Sequence, residues 1–299
     1  RAMTSRLTVV IVSYNSEAYL EDCLASVYRE TAIPNVKVVV VDNASSDRRI
    51  FPLLKHRFPD LAIVYNSANL GFAQGCNHGI RAFPACSYLL LNPDCVVSDR
   101  AIEKALAYLE QTPEIGIVGC RVQNPDGSLQ LACRRSIPRP STAFYRLTGL
   151  SRLFPRSERL GRYNYTYIDD RQAHPVEAVS GSFLMFRAPV SDRIGLLDET
   201  FFLYGEDLDF CYRAMQAGWR VCYYPEAVVI HHKRGSSSQD ARAGNFHFYN
   251  AMKLFYRKHY GLNAGPVKNA MVLAGIECLY RLALLRNRVF RRSDVGSEG

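Results

Sequence analysis

Two phosphate-binding fingerprints are missing from this sequence. No G-x-G-x-x-G follows the first predicted strand and no G-x-x-x-x-G-K-S/T occurs, which argues against a dinucleotide dehydrogenase and a P-loop NTPase. The nine cysteines include no C-x-x-C pair and are odd in number, so neither a disulfide framework nor a zinc site is indicated, and a reducing cytosol is the expected home. Residues 1–6, RAMTSR, are mostly polar and lead straight into a strand pattern, so no secretory signal is read there. Long apolar runs are lacking in the C-terminal stretch, where the longest charge-free segment is the eight residues Asn269 to Ile276, against the roughly 20 that a bilayer-spanning helix needs. There is no internal repeat and no recognised nucleic-acid-binding module, so nucleic acid is not an expected partner.

What is present is an ordinary globular composition. The 299 residues are 48% hydrophobic and 22% charged, enough to bury one large core with an appended tail. The net charge of +9 is unevenly placed. Ten Arg and four acidic residues fall between Arg121 and Arg171, and six basic residues with one acid between Lys268 and Arg292, which leaves the rest of the chain at −2. Two basic attachments on a near-neutral body suggest contact with something anionic, a phosphorylated ligand or a lipid surface; solvated faces are the plainer alternative.

Short apolar runs alternate with helical patterns through the first 120 residues, which predicts an α/β fold with a parallel sheet wrapped by helices. The predicted strands are Leu7 to Val12, Val36 to Val41, Leu61 to Tyr65, Tyr88 to Leu91 and Ile115 to Cys120, each apolar enough to be covered on both faces. Glu17 to Glu30, with Ser16 as a possible N-cap, and Asp99 to Gln111 carry apolar residues at helical spacing. From 121 to 175 an Arg- and Tyr-rich stretch with Pro138, Pro140 and Pro155 reads as long loops or an insertion. After it come a strand-like run from Val176 to Phe186, a helix from Glu206 to Ala217 stopped by Gly218, and apolar segments at Arg220 to Tyr224 and Ala227 to Ile230. Gly235 to Ser238 reads as a flexible link, followed by helices at Ala243 to His259 and Val267 to Arg292.

Ligands of open α/β sheets bind beyond the carboxyl ends of the strands. Those ends here read Ser13-Tyr14-Asn15, Asp42-Asn43-Ala44-Ser45, Asn69-Leu70-Gly71-Phe72 and Asn92-Pro93-Asp94. Asp42 can accept hydrogen bonds from a nucleobase imide or ribose hydroxyl and Tyr14 can stack on a base, although Asp42 could equally cap the next segment. Gly71, Gly75 and Gly79 share one helix face, for tight packing or close approach to a ligand, with Asn69 and Asn77 beside it. Asp94 is a hard oxygen donor suited to Mg2+ or Mn2+. His231 and His232 end an apolar run and point to opposite faces, so one of them can join Asp94. Glu206, Asp207 and Asp209 cluster at a helix start, either as dipole partners or as the source of a general base.

Taken in order, VSYN at 12–15, VDNAS at 41–45, NLGFAQGCNHG at 69–79, LNPD at 91–94, SGSFLMFR at 180–187, LDETFFLYGEDLDFCYRA at 197–214 and IHH at 230–232 resemble family 2 nucleotide-sugar glycosyltransferases of the GT-A fold, especially the bacterial rhamnosyltransferase and galactofuranosyltransferase branch. The resemblance implies a Rossmann-like, mostly parallel sheet over residues 7–240 with a helical, basic amphipathic tail at 241–299. It implies inverting transfer of a sugar, rhamnose first and galactofuranose or another hexose second, from a dTDP- or UDP-sugar to a glycan or lipid-linked acceptor, in surface polysaccharide synthesis. By position, Tyr14 and Asp42 match nucleotide contacts and Asn69 and Asn77 match the segment beside the donor. Asp94 matches the last acid of a D-x-D metal motif whose first acid is replaced by Asn92. His231 matches a late metal or diphosphate ligand, Asp207 the catalytic base, Glu206 an acceptor contact, and Gly181 and Ser182 the acceptor-facing strand. A divalent cation, Mg2+ or Mn2+, is the expected cofactor. A non-catalytic sugar-nucleotide or glycan-binding module is the alternative of another class. The expected location is cytoplasmic, and the tail is read as a helix lying on the inner membrane face, packing on the body or mediating self-association.

Overall fold

The computed structural model describes residues 5–139, 142, 145, 149–233 and 241–295. Pro140 and the Gly235 to Ser238 link lie outside the described residues.

The first strand, β1 (Ser5–Ser13), is followed by α1 (Glu17–Glu30), β2 (Val36–Asp42), α2 (Ile50–Arg57) and β3 (Ala62–Tyr65). Then come α3 (Gly71–Ala82), β4 (Ala85–Leu91), β5 (Cys95–Ser98), α4 (Ala101–Gln111) and β6 (Ile115–Gln123). The four strands β3-β2-β1-β4 run parallel, as the alternation predicts. Leu7, Val9, Val10 and Ile11 of β1 are fully buried, because helices cover both faces of the sheet. Leu20, Leu24 and Val27 of α1 fill one side of that core. Ser16 does not cap α1 with its side chain; its hydroxyl meets Ser13 Oγ at 2.9 Å, and its carbonyl accepts the Tyr19 and Leu20 N–H groups. Gly75 and Gly79 serve packing: a Cβ there would lie 2.9 Å and 2.6 Å from the methyls of Val12 and Val10.

Past β6 the alternation no longer foretells the order. The two-residue strands β7 (Arg134–Arg135) and β9 (Ala178–Val179) pair with each other in a separate sheet, while β8 (His174–Pro175) pairs antiparallel with the Cys222–Tyr223 part of a main-sheet strand. The run predicted as one strand from Val176 to Phe186 breaks at residues 180–182 into β9 and β10 (Phe183–Arg187). Strand β10 inserts antiparallel between β4 and β6, so the sheet is mixed, with order β3-β2-β1-β4-β10-β6-β11-β5. The helices α5 (Ala188–Ile194) and α6 (Glu206–Gln216) precede β11 (Arg220–His231). The two apolar segments predicted at its ends are one strand, bulged between Tyr224 and Val228.

The basic stretch 121–175 is mostly loop, yet several of its arginines face inward. Arg121 pairs with Asp170 at 2.8 Å, and Arg134, 2% exposed, donates to the Ile168 carbonyl at 2.9 Å. Neither a solvated face nor an external anion explains these two. Helix α7 (Ala241–His259) places Ala251 and Phe255 in the buried core and is tied down by Lys258 and His259, each 2.7 Å from Asp209 Oδ1. Helix α8 (Pro266–Val295) lies against α7 through Lys253–Glu277 at 2.7 Å and Tyr256–Asn269 at 2.9 Å. No helix among the described residues is long and apolar enough to cross a membrane.

Candidate active site

The chain visits β1, β2 and β3 in one direction, then returns to β4 on the other side of β1, which opens a crevice at the strand ends. Because β10 is antiparallel to β4, its start meets β4's end, and the Asn92 N–H donates to the Ser182 carbonyl at 3.1 Å. The pairing of β11 with β5 sets His231 opposite Cys95. The result is a cavity of about 750 Å³ lined by Tyr14, Asn69, Asn92, Asp94, Gly181, Ser182, Glu206, Asp207 and His231 among others. The remaining two predicted site residues, Asp42 and Asn77, do not line it.

Asp42 is fully buried. Its Oδ1 accepts the Ser45 N–H at 2.9 Å and its Oδ2 pairs with Arg48 Nε at 2.6 Å, so in this arrangement it caps the turn rather than faces a base. Asn77 sits six residues into α3 and turns away from the crevice. Its amide donates to the Leu197 carbonyl and to Glu199, both at 2.9 Å, and accepts the Leu197 N–H at 3.1 Å; it clamps the loop that leads to the acidic cluster. Asn69 lines the cavity while its Oδ1 accepts the Gly71 N–H at 3.1 Å. Gly71 itself has φ +83, and a Cβ there would meet the Phe202 carbonyl oxygen at 2.4 Å, so only glycine lets α3 start beside the crevice.

Asp94, Cys95 and His231 place potential ligand atoms within 4.8 Å of one another. Cys95 Sγ is directed at the Ser182 carbonyl, 3.5 Å away. The His231 tautomer follows from Gln130, a residue the sequence reading missed. Gln130 Nε2 donates to the His231 carbonyl at 2.7 Å, so its Oε1, 3.0 Å from Nδ1, accepts the ring proton. Nε2 then presents a lone pair 3.1 Å from Asp94 Oδ1. Two acceptors that close call for a proton or a cation between them, and a nitrogen with a carboxylate oxygen suits a borderline divalent ion such as Mn2+. Asn92, with Nδ2 3.4 Å from the same Nε2, completes this corner.

The three carboxylates at the start of α6 have different surroundings. Asp209 turns to α7: burial works against its ionised form, but the hydrogen bond from His259 and the charges of Arg213 and Lys258 outweigh it and hold the carboxyl at about 2. Glu206 is buried, its Oε2 has no hydrogen-bond partner among the described residues, and burial together with the neighbouring Asp207 charge pushes it up to about 8. Asp207 reaches the cavity with three hydrogen bonds. Its Oδ2 accepts from Arg135 at 2.6 Å and from the Gly181 N–H at 2.9 Å, and its Oδ1 accepts from the Leu208 N–H at 2.7 Å. Arg135, the second residue missed from sequence, also donates to the Val179 carbonyl at 2.9 Å. Its only sequence signal was the adjacent pair Arg134-Arg135 in a segment otherwise read as loop.

The protonated Glu206 carries a pH prediction. Folded Glu206 keeps its proton to about pH 8, whereas the unfolded group releases it near the ordinary 4.5. The folded state thus binds more protons between those values, and stability declines as pH rises through that window. Glu206→Gln removes the decline, so calorimetric scans should find the variant close to wild type near pH 4.5 and more stable than wild type above pH 8, by up to about 5 kcal/mol. A difference independent of pH would refute this.

The family model described as glycosyltransferase like family 2 matches residues 5–247. An N-acetylglucosaminyl-diphospho-decaprenol L-rhamnosyltransferase of Mycobacterium tuberculosis is 29% identical over 249 residues, covering 80% of either chain. The rhamnosyltransferase WbbL of Escherichia coli is 23% identical over 260 residues, 84% of this chain and 92% of that one. Among solved structures, a mannosyltransferase from Pyrobaculum calidifontis in complex with GDP-Man and Mn2+ superposes with a TM-score of 0.60 at 20% identity, covering 94% of this chain and 71% of that chain.

Proposed function

The chain belongs to glycosyltransferase family 2, and from that premise we propose that it transfers rhamnose, with inversion, from a nucleoside diphosphate sugar to a hydroxyl of a lipid-linked glycan used in bacterial surface polysaccharide. The observation that carries this reading is that Asp207 and the Asp94–His231 pair line one cavity, the proton acceptor and the leaving-group corner on a single crevice. The relatives named as rhamnosyltransferases favour rhamnose over galactofuranose or another hexose.

In this mechanism the acceptor O–H approaches the anomeric carbon from the side opposite the diphosphate. Asp207 takes its proton as the new C–O bond forms, and the electrons of the breaking C–O bond leave on the diphosphate. The neutral Glu206 carboxyl, beside Asp207, donates a hydrogen bond to the acceptor rather than competing for its proton. Gly181 and Ser182 bound the acceptor side, while Tyr14 stacks on the base and Asn69 and Asn92 hydrogen-bond the donor. Asp94 and His231, with Asn92 beside them, would hold a divalent cation, which when bound neutralises charge developing on the diphosphate. Asn92 in place of an acid removes one charge from that set and predicts weaker metal binding than two acids would give.

The test is a thermal-shift panel of dTDP, UDP and their sugars with Mg2+ or Mn2+, repeated with chelator. A ligand at one hundred times its Kd should add roughly 2.7 kcal/mol, a rise of about 5 °C, and chelation should remove most of it. A panel without any shift defeats the donor reading; turnover undiminished in chelator defeats the cation.

A further inference from the structure

A second cavity, of about 390 Å³, adjoins the first and shares Tyr204, Glu206 and Asp207 with it. Its far walls come from α7 and α8, with Phe248, Met252, Phe255, Val272 and Ile276 among the apolar side chains, and Arg139 and Lys268 among its cations. The mechanism above uses none of these residues.

Three features decide what fits there. The groove ends on Asp207, so an occupant can present a hydroxyl to the base while the rest of it extends along α7 and α8. Its apolar lining disfavours a free sugar chain, whose hydroxyls would lose water without compensation, whereas Lys268, with Arg139 whose guanidinium also lies 3.2 Å from Glu177, suits a phosphate. Lys268 and Val272 also line a shallow depression with Val267 and Met271, where Val267 and Met271 are 72% and 71% exposed. Helix α8 buries Ile276 and Ala283, yet it keeps this further set of apolar side chains outward. A helix apolar on more than one side needs a second nonaqueous neighbour.

We propose that this groove takes the hydrocarbon chain of a lipid-phosphate-linked acceptor, with Arg139 and Lys268 meeting the phosphate and the exposed apolar rim of α8 resting at the lipid surface from which the chain enters. The inference rests on the reading of Asp207 as the group that faces the acceptor hydroxyl, and it adds where the lipid portion lies.

The test titrates the full chain with farnesyl phosphate, farnesol and inorganic phosphate, beside Met252→Trp and Val272→Trp, which fill the groove without touching the crevice. Farnesyl phosphate should bind and inorganic phosphate should not, both variants should bind farnesyl phosphate about tenfold more weakly or worse, and their nucleotide-induced thermal shifts should equal that of the wild type. Equal farnesyl phosphate binding by wild type and variants overturns the proposal, as does inorganic phosphate binding as well as the lipid. If farnesyl phosphate fails to bind while nucleotide sugars bind and are turned over onto a water-soluble glycoside, the groove assignment is wrong and the transferase reading stands. If nucleotide sugars do not bind either, both fall.

Discussion

Asp207→Asn should abolish sugar transfer, lowering kcat by at least about 10²–10⁴-fold, while the thermal shift given by the nucleotide is retained. The substitution is nearly isosteric. The amide oxygen can still accept the Gly181 N–H that now lies 2.9 Å from Oδ2, so the start of α6 and the acceptor side of the crevice keep their shape. What disappears is the negative charge that can receive a proton, and with it the counter-charge 2.6 Å from the Arg135 guanidinium, so the variant also loses some stability. In the proposed mechanism the donor lies at the Tyr14 and Asn92 side of the cavity, and the KM for nucleotide sugar should then change little. This outcome also separates an enzyme from a binding module of the same fold, for which the substitution would be silent. Normal turnover by the variant would end the assignment of Asp207 as base.

The second large effect is expected at Arg135. Its guanidinium and the Asp207 carboxylate are 13% and 11% exposed, with 2.6 Å between Nη2 and Oδ2. Burial opposes the charged guanidinium, but the Asp207 charge and hydrogen bond more than compensate and raise its pKa; it stays a cation throughout the accessible range. Arg135→Leu leaves a carboxylate in a poorly hydrated site without its counter-charge, a change that costs about 3–5 kcal/mol in comparable buried pairs. It also frees the carboxylate to rotate, and a misplacement of about 1 Å at the base costs on the order of 10²-fold in rate. Arg135 is thus a positioning residue, and two readouts separate that role from simple scaffolding. In denaturant titrations the double variant Arg135→Leu/Asp207→Asn should be more stable than Arg135→Leu alone, because the orphaned charge is gone. In activity assays Arg135→Lys should recover part of kcat. A double variant less stable than the single one would show that the pairing does not carry the effect.

Much of the architecture was legible in the sequence. Strands β1, β2, β4 and β6 were read to within a few residues because a strand buried on both faces is a short apolar run, and α1 was read at its exact limits because Leu20, Leu24 and Val27 keep helical spacing. Parallel strands finish on one side of the sheet, so the polar residues after them had to gather there, and Tyr14, Asn69, Asn92 and Asp94 do line one cavity. Helix α2 and strand β5 were missed: α2 has eight residues with Pro52 among the first and only Phe51 and Leu54 buried, and β5 has four residues.

The sequence by itself determined the layered α/β class, the family and the crevice end of the sheet, since each follows from local periodicity or from motifs a few residues long. Only the tertiary structure decided how alike residues divide their work. A rule about helix starts treats Glu206, Asp207 and Asp209 as equals, but the folded chain gives the first a proton, the second an arginine from 72 positions away and the third a histidine and a lysine from α7. It likewise turned Asp42 toward Arg48 and Asn77 toward the 197–199 loop. Ionisation and hydrogen bonding depend on burial and on neighbours across several ångströms of space, and which neighbours those are depends on where strands such as β7, β9 and β10 cross, a long-range pairing that no local pattern encodes.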